Sequence, residues 1–157
     1  MINLIGEFDC KLDGKSRMLF PAGLKKQIPS SGEMKFVVNR GFEQCLVLYP
    51  KTEWEQISKE VNELNMYSKK NREFVRYFYR GASEISLDSS SRILLPKNLL
   101  TFAGIDKDVI LFAYSNRIEI WDKKKYESLL TDEPDDFATL AEEVMCKKDS
   151  KDENEVS

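Results

Sequence analysis

The sequence predicts a strand-rich α+β fold made of two copies of one small unit, and two internal alignments support this prediction. Residues 6–24 align without a gap on residues 81–99, at an offset of 75, and eight of the nineteen columns are identical. Farther along, residues 46–54 match residues 118–126 at an offset of 72. A unit of about fifty residues with short strands buries little surface alone. We therefore expect the two copies to interleave around one shared core.

The strands, the polar turn and the short helix of each copy follow from local signals. Residues 9–12 alternate between apolar and polar side chains and predict a strand that returns, after the turn, over residues 18–20. Pro21 is expected to open a short helix over residues 22–27, because its fixed φ suits a first helical turn. Hairpins are predicted over residues 35–40 with 44–49 in the first copy and over residues 108–113 with 117–121 in the second.

Two helices are predicted between the copies. Thr52 and Glu55 have the spacing of a capping box, which places the start of the first helix at Thr52. The second helix is predicted over residues 68–79. Residues 147–157 are charged and almost free of apolar side chains, a composition typical of disorder. The expected organisation is a first repeat over residues 5–52, connecting helices over 53–80, a second repeat over 81–124, a C-terminal helical segment over 125–146 and a disordered tail over 147–157.

The composition argues against enzymatic and metal-dependent functions. Histidine is absent from the 157 residues, which removes the commonest general base and the commonest metal ligand. No glycine-rich loop precedes a helix, so we expect neither an enzyme nor a cofactor. Cys10, Cys45 and Cys146 are odd in number and lack metal-type spacing, which predicts reduced thiols in a cytoplasmic protein. No apolar run approaches the roughly 18 residues of a membrane span, so we expect no membrane partner, and no small-molecule ligand is evident.

The charge of the chain is unevenly distributed. The formal net charge is −3, yet residues 132–157 hold ten acids and three bases, whereas residues 1–131 hold 17 acids and 21 bases. The part of the chain expected to fold is therefore mildly basic. This asymmetry is a modest indication of a polyanionic partner.

The repeated Asp-x-x-x-Arg motif lies in the polar turn of each copy, as Asp13 with Arg17 and as Asp88 with Arg92. The planar fork of arginine fits a phosphate group or the edge of guanine with two hydrogen bonds. Lys15 adds a second positive charge to the first turn. In the second turn the residues 89–91 are serines, whose hydroxyls are able to donate to phosphate oxygens. We therefore expect Lys15 and Arg17 to contribute more than Arg92 to the binding of a nucleic acid.

A structural role for these turns stays open beside the binding role. The aspartate and the arginine of each turn are placed to pair with each other and to fix only the turn. An exposed ion pair is worth about 0–1 kcal/mol, which is a weak reason to place it twice. The two roles are compatible, because the aspartate is able to orient the arginine for a ligand.

These two turns, together with residues 45–50 and 118–122, resemble the MraZ family, bacterial regulators encoded at the head of the division and cell wall gene cluster. The resemblance covers residues 5–145. It implies a double-ψ or swapped-hairpin AbrB-like β-barrel formed by two tandem repeats with flanking helices. It also implies a ring-shaped homo-oligomer that is nucleoid-associated and binds double-stranded DNA at direct repeats in its own promoter. The implied DNA-binding residues are Asp13, Lys15, Ser16, Arg17, Asp88, Ser91 and Arg92.

One position departs from the family pattern. The family usually has glycine directly before the turn arginine, whereas this chain has Ser16 and Ser91. If this position needs a left-handed backbone, serine costs about 1 kcal/mol or more relative to glycine. Two other outcomes stay open: Gly14 carries the left-handed conformation in the first copy, or the turns adopt another geometry.

A second function from a different class also stays open. The protein would then be a ring-forming protein-interaction scaffold without specific DNA binding. Its contact surfaces would be the tail helix and a basic stripe at helical spacing, formed by Lys69, Arg72, Arg76 and Arg80.

Overall fold

The computed structural model describes residues 2–30, 32–131 and 136–156, with side chains as far as residue 146. The architecture is α+β and rich in strands, as predicted. The strands are β1 (Leu4–Lys11), β2 (Arg17–Leu19), β3 (Lys35–Arg40), β4 (Leu46–Pro50), β5 (Ser83–Ser86), β6 (Arg92–Leu94), β7 (Asp108–Ser115) and β8 (Arg117–Asp122). The helices are α1 (Ala22–Lys25), α2 (Lys51–Asn62), α3 (Lys69–Tyr79), α4 (Lys97–Ala103), α5 (Lys123–Thr131) and α6 (Phe137–Val156).

The first strand of each copy pairs with the hairpin of the other copy. Six strands form one sheet in the order β1-β7-β8-β4-β3-β5, so β1 lies against β7 and β5 lies against β3. Strands β4 and β8, one from each copy, meet at the centre of this sheet. The same exchange is seen in two equivalent ion pairs, Lys123 with Asp9 at 3.1 Å and Lys51 with Glu84 at 3.2 Å. The two copies therefore interleave.

Strands β2 and β6 form a separate two-stranded antiparallel ribbon, to which each copy contributes one strand. Arg17 lies opposite Leu94, Met18 opposite Ile93, and Leu19 opposite Arg92. In the six-stranded sheet, β1 and β5 stand at the two edges. The strand pairing in the described residues thus defines an open sheet and a ribbon and does not define a closed barrel.

The core is built from equivalent side chains of the two copies. Met18, Phe20 and Leu24 are at most 2% exposed, and so are their counterparts Ile93, Leu95 and Leu99. They belong to one hydrophobic cluster with the inward side chains of the hairpins, Phe36, Val38, Leu46, Leu48, Val109, Leu111, Ile118 and Ile120. Burial of matched apolar residues explains why the repeat keeps its apolar columns.

The backbone conformation explains why both copies have glycine at this position of the repeat. Gly6 has φ +130° and its counterpart Gly81 has φ +86°, a region that other residues rarely adopt. A Cβ at Gly6 would lie 2.7 Å from the Phe8 ring, and one at Gly81 would lie 2.8 Å from the Leu99 side chain. Both positions therefore favour glycine on conformation and on space.

The helix predictions differ in their outcome. Helix α3 begins as expected, because the Ser68 side chain accepts a hydrogen bond from the Asn71 amide at 3.3 Å. The capping box at Thr52 is wrong: Pro50 is the N-cap of α2, without a side-chain cap bond, and Thr52 lies inside the first turn. The physical reason is that α2 follows β4 directly, and Pro50, with φ −55°, already sets the entry into the helix.

The C-terminal segment is also more helical than predicted. Helix α6 runs to Val156, so the segment for which we predicted disorder is helical up to that residue. Lysine and glutamate have high intrinsic helix propensity, which allows a charged segment to form a helix without an apolar face. Within the described residues, no helix combines the length and the apolar character that crossing a bilayer requires.

Candidate nucleic-acid interface

The first polar turn is organised by the Asp13 carboxylate. Its Oδ1 accepts hydrogen bonds from the Lys15 amide at 2.8 Å and from the Arg17 amide at 3.0 Å. Its Oδ2 lies 3.1 Å from Arg17 Nε. Backbone bonds close the turn, from the Asp13 amide to the Arg17 carbonyl at 2.8 Å and from the Ser16 amide to the Asp13 carbonyl at 3.1 Å. One aspartate therefore fixes the backbone of the turn and the direction of the arginine together.

The second turn repeats this geometry bond for bond. Asp88 Oδ1 accepts from the Ser90 amide at 2.8 Å and from the Arg92 amide at 2.9 Å, and Asp88 Oδ2 lies 3.2 Å from Arg92 Nε. The Asp88 amide donates to the Arg92 carbonyl at 2.9 Å, and the Ser91 amide donates to the Asp88 carbonyl at 3.0 Å. The repeated motif thus encodes one turn structure used twice.

The aspartate occupies only one nitrogen of each arginine. The ion pairs use Nε of Arg17 and of Arg92. Among the described residues, no hydrogen bond joins the terminal Nη groups of either arginine to a protein acceptor. The two side chains are 30% and 34% exposed. The pairing therefore holds each guanidinium through Nε alone, a geometry that is compatible with both a structural role and a binding role.

Ser16 and Ser91 carry the left-handed conformation that the family glycine would favour. Their φ angles are 62° and 59°. Gly14 is not among the residues with positive φ, so the suggestion that it takes this role in the first copy is wrong. Both copies have the same backbone hydrogen bonds around a left-handed serine, so the two turns share one geometry.

Replacing Ser16 by glycine is expected to stabilise the protein by about 1 kcal/mol, because glycine adopts a left-handed backbone without a Cβ penalty. Thermal unfolding measures this as a melting temperature higher by roughly 2–4 °C. Ser89→Gly is the matched control, since Ser89 is not among the residues with positive φ. It should lower stability through the added freedom of the unfolded chain. A loss of stability in Ser16→Gly would contradict this account of the turn.

Hydrogen bonds within the turns lower the pKa of both turn carboxylates. The backbone amide of Arg17, and then that of Lys15, lowers the pKa of Asp13 below its ordinary value of 3.8. The amide of Arg92 does the same for the pKa of Asp88, with the Ser90 amide assisting. The arginine charges act in the same direction.

A depressed pKa in the folded state adds stability above the unfolded-state pKa, and that stability is lost as the pH falls through the folded-state pKa. We therefore expect the variant Asp13→Asn/Asp88→Asn to melt at a lower temperature at neutral pH. Its melting temperature should fall less than that of the wild type between about pH 5 and about pH 2. Parallel curves for the two proteins over this interval would show that the turn carboxylates do not contribute.

Lys25 reaches the second turn from the first copy. Its Nζ donates to the Ser91 hydroxyl at 3.0 Å, across 66 positions of sequence. The second turn itself contributes one base, Arg92, and Lys25 of the first copy adds a second base beside it. No local signal points to Lys25, because the contact arises from the exchange of strands between the copies.

The ribbon brings the two turns together on one surface. The Phe20 amide donates to the Ser91 carbonyl at 2.8 Å, and the equivalent Leu95 amide donates to the Ser16 carbonyl at 3.0 Å. Each turn is thus anchored by the other copy. The side chains collected here are four bases, Lys15, Arg17, Lys25 and Arg92, and two acids, Asp13 and Asp88. These six side chains together carry two more positive charges than negative ones.

Cys10 and Cys45 lie outside the two turns. Burial raises the pKa of Cys45 to about 12 and that of Cys10 to about 11, so both stay protonated at neutral pH. Cys146 is exposed. In the part of the chain that the structure describes, no cluster of three or more cysteine, aspartate or glutamate side chains is arranged to hold a metal ion.

The comparison with known protein families also finds two copies of one unit in this chain. The model of the family described as "MraZ protein, putative antitoxin-like" matches twice, over residues 4–77 and 78–147. The chain belongs to the MraZ family. Each match contains one Asp-x-x-x-Arg turn, so the two copies are tandem MraZ repeats.

Relatives in the MraZ family share nearly the full length of the chain. The transcriptional regulator MraZ of Christiangramia forsetii is 48% identical over 150 residues, which cover 95% of this chain and 97% of that protein. The transcriptional regulator MraZ of Flavobacterium psychrophilum is 45% identical over 146 residues, 92% of this chain and 93% of that protein. A more distant MraZ regulator, from Natranaerobius thermophilus, is 36% identical over 141 residues.

Proposed function

We propose that this protein is a sequence-specific DNA-binding transcriptional regulator of the division and cell wall gene cluster. It binds direct repeats in its own promoter through the two Asp-x-x-x-Arg turns, as part of a ring-shaped oligomer in the nucleoid. The regulatory role in general has the support of the relatives, each named a transcriptional regulator. The target and the contacts are the proposal.

The observation that carries the proposal is the state of the two turn arginines. Arg17 and Arg92 are each held at Nε by an aspartate, and about a third of each arginine side chain is exposed. A guanidinium fixed in this way loses less conformational entropy when it forms two bonds to guanine or to a phosphate. Lys15 and Lys25 beside them suit contacts to the phosphate backbone.

The AbrB-like swapped-hairpin barrel is part of the same proposal. The exchange of β1 and β5 between the hairpins of the two copies supports it. A further bridge joins Leu12 to Met18, which connects the end of β1 to β2. The ribbon would then close the open sheet between its two edge strands. In this scheme residues 5–52 and 81–124 are the two repeats, and residues 53–80 connect them.

A footprint on the DNA upstream of the gene for this protein tests the proposed function. We expect protection of short repeated boxes in one orientation, with binding that weakens steeply as salt rises, because phosphate contacts release counterions. Uniform protection without boxes, or no protection at low salt, would refute sequence-specific binding.

The scaffold function keeps one observation in its favour. Helix α6 carries Phe137, Leu140 and Val144 at helical spacing, and these side chains are 75%, 40% and 58% exposed. An apolar stripe of this kind is suited to a protein partner. The basic stripe supports this function less, since Arg72 is bonded to the Met66 carbonyl at 2.9 Å.

A further inference from the structure

The outer face of the β2–β6 ribbon carries two exposed leucines between the two turn arginines. Alternation along each strand puts Arg17 with Leu19, and Arg92 with Leu94, on the same face. Leu19 is 64% exposed and Leu94 is 56% exposed. The residues directly before them, Met18 and Ile93, are 1% and 0% exposed. More than half of each of these leucines is therefore exposed, at equivalent positions of the two copies.

The register of the ribbon places the same arginine–leucine pair on this face twice, related by an approximate two-fold axis. Arg17 lies directly opposite Leu94, and Arg92 lies directly opposite Leu19. Side chains directly opposite each other in an antiparallel pair are about 5 Å apart at Cβ. Each arginine of one copy therefore has a leucine of the other copy as its neighbour on the surface.

We propose that Leu19 and Leu94 are specificity-determining residues that contact the 5-methyl groups of thymine in the major groove. This inference rests on the proposed DNA-binding function and deepens it. A two-stranded antiparallel ribbon is one of the elements that the major groove admits, and thymine presents its methyl group there as an apolar feature. The arginines supply guanine or phosphate contacts, and the leucines supply the discrimination of thymine.

The spacing along the strand predicts how far apart on the DNA the arginine and leucine contacts lie. Arg17 and Leu19 are two residues apart, which is about 6.6 Å along a strand. Successive base pairs are about 3.4 Å apart along the duplex. A strand that follows the groove therefore places the leucine contact about two base pairs from the arginine contact. The two-fold arrangement predicts two such thymines for each box, one for each leucine.

The charge around the leucines favours DNA as the occupant of this face over a second copy of the chain. Four bases, Lys15, Arg17, Lys25 and Arg92, lie at the two turns, with two acids, each bonded to its own arginine. The depression beside Leu19 adds two acids and two bases, Asp9, Asp108, Lys11 and Lys123, which leave the balance positive. A second copy that presented the same face would bring like charges together. A duplex brings the opposite charge along its whole length.

The experiment compares thymidine with deoxyuridine, which lacks only the 5-methyl group, at single positions of one box in the footprinted promoter duplex. In the wild type we expect about fourfold weaker binding at each of two thymine positions, from the loss of one buried apolar carbon. Leu19→Ala should abolish the sensitivity at one of these positions, and Leu94→Ala should abolish it at the other. Ile5→Ala, at an apolar residue that is 74% exposed on β1, is the matched control and should retain both sensitivities.

The outcomes separate this inference from the function on which it rests. If the wild type binds thymidine and deoxyuridine duplexes equally, or if Leu19→Ala keeps both sensitivities, the leucine inference is wrong even though Arg17→Ala loses binding. If Arg17→Ala binds normally, the proposed function itself fails. A changed oligomer mass in Leu19→Ala or Leu94→Ala, measured by light scattering, would instead assign this face to contacts between subunits and overturn the inference.

Discussion

Arg17→Ala is expected to weaken binding to a one-box promoter duplex about tenfold to a hundredfold, the loss that follows removal of an arginine contact to a guanine edge. The measurement is fluorescence anisotropy with a labelled duplex at fixed salt. The fold should survive, because the arginine is partly exposed and its exposed ion pair with Asp13 adds little stability. Arg92→Ala should show a comparable loss, since Lys25 gives the second turn as many bases as the first.

The control for the arginine variants is Arg76→Ala, an exposed arginine on α3 outside both turns. It removes the same charge and should change the affinity little. Oligomer mass is measured on every variant. A joint loss of binding and of assembly in Arg17→Ala would point to a structural turn and favour the scaffold function. Equal losses in Arg17→Ala and Arg76→Ala would indicate non-specific charge attraction.

Affinity is expected to rise about 10²- to 10⁴-fold when the duplex carries several correctly spaced boxes instead of one. A single pair of turns makes few contacts and binds weakly alone. When one turn of an oligomer is bound, the next box meets its neighbour at a high effective concentration. The same anisotropy assay with one, two and three boxes measures this rise, and a three-box duplex with altered spacing is the control.

Equal affinities for one, two and three boxes would refute the multivalent account. Equal affinities for native and altered spacing would refute its geometric part, since simultaneous contact requires the boxes to match the separation of the turns. Either result leaves the geometry of the individual turn untouched. The two parts of the proposal are therefore tested separately.

Most of the secondary structure could be predicted because it depends on local sequence patterns, and the repeat shows the same patterns in both copies. The α+β class, the two hairpins and the helix that begins after Ser68 follow from alternation, turn residues and a capping side chain. The exchange of β1 and β5 between copies concerns partners far apart in the chain. Alternation does not choose among such partners. The start of α2 was misplaced because Pro50 and Thr52 are both good start signals, and local pattern does not decide between them.

The candidate site was predictable only in part, for the same physical reason. The motif itself locates Asp13 and Arg17, since an aspartate four residues before an arginine is able to bond both the turn amides and the guanidinium. The left-handed conformation of Ser16 conflicts with its propensity and is imposed by the closed turn. Lys25 was missed because it reaches Ser91 only through the interleaving of the copies.

The structure of the oligomer bound to the footprinted duplex tests the central proposal most directly. We predict that the guanidinium groups of Arg17 and Arg92 lie within hydrogen-bond distance of base edges or phosphates, with the β2–β6 ribbon in the major groove. A complex in which both turns are covered by neighbouring subunits, while the DNA lies against another surface, would contradict it.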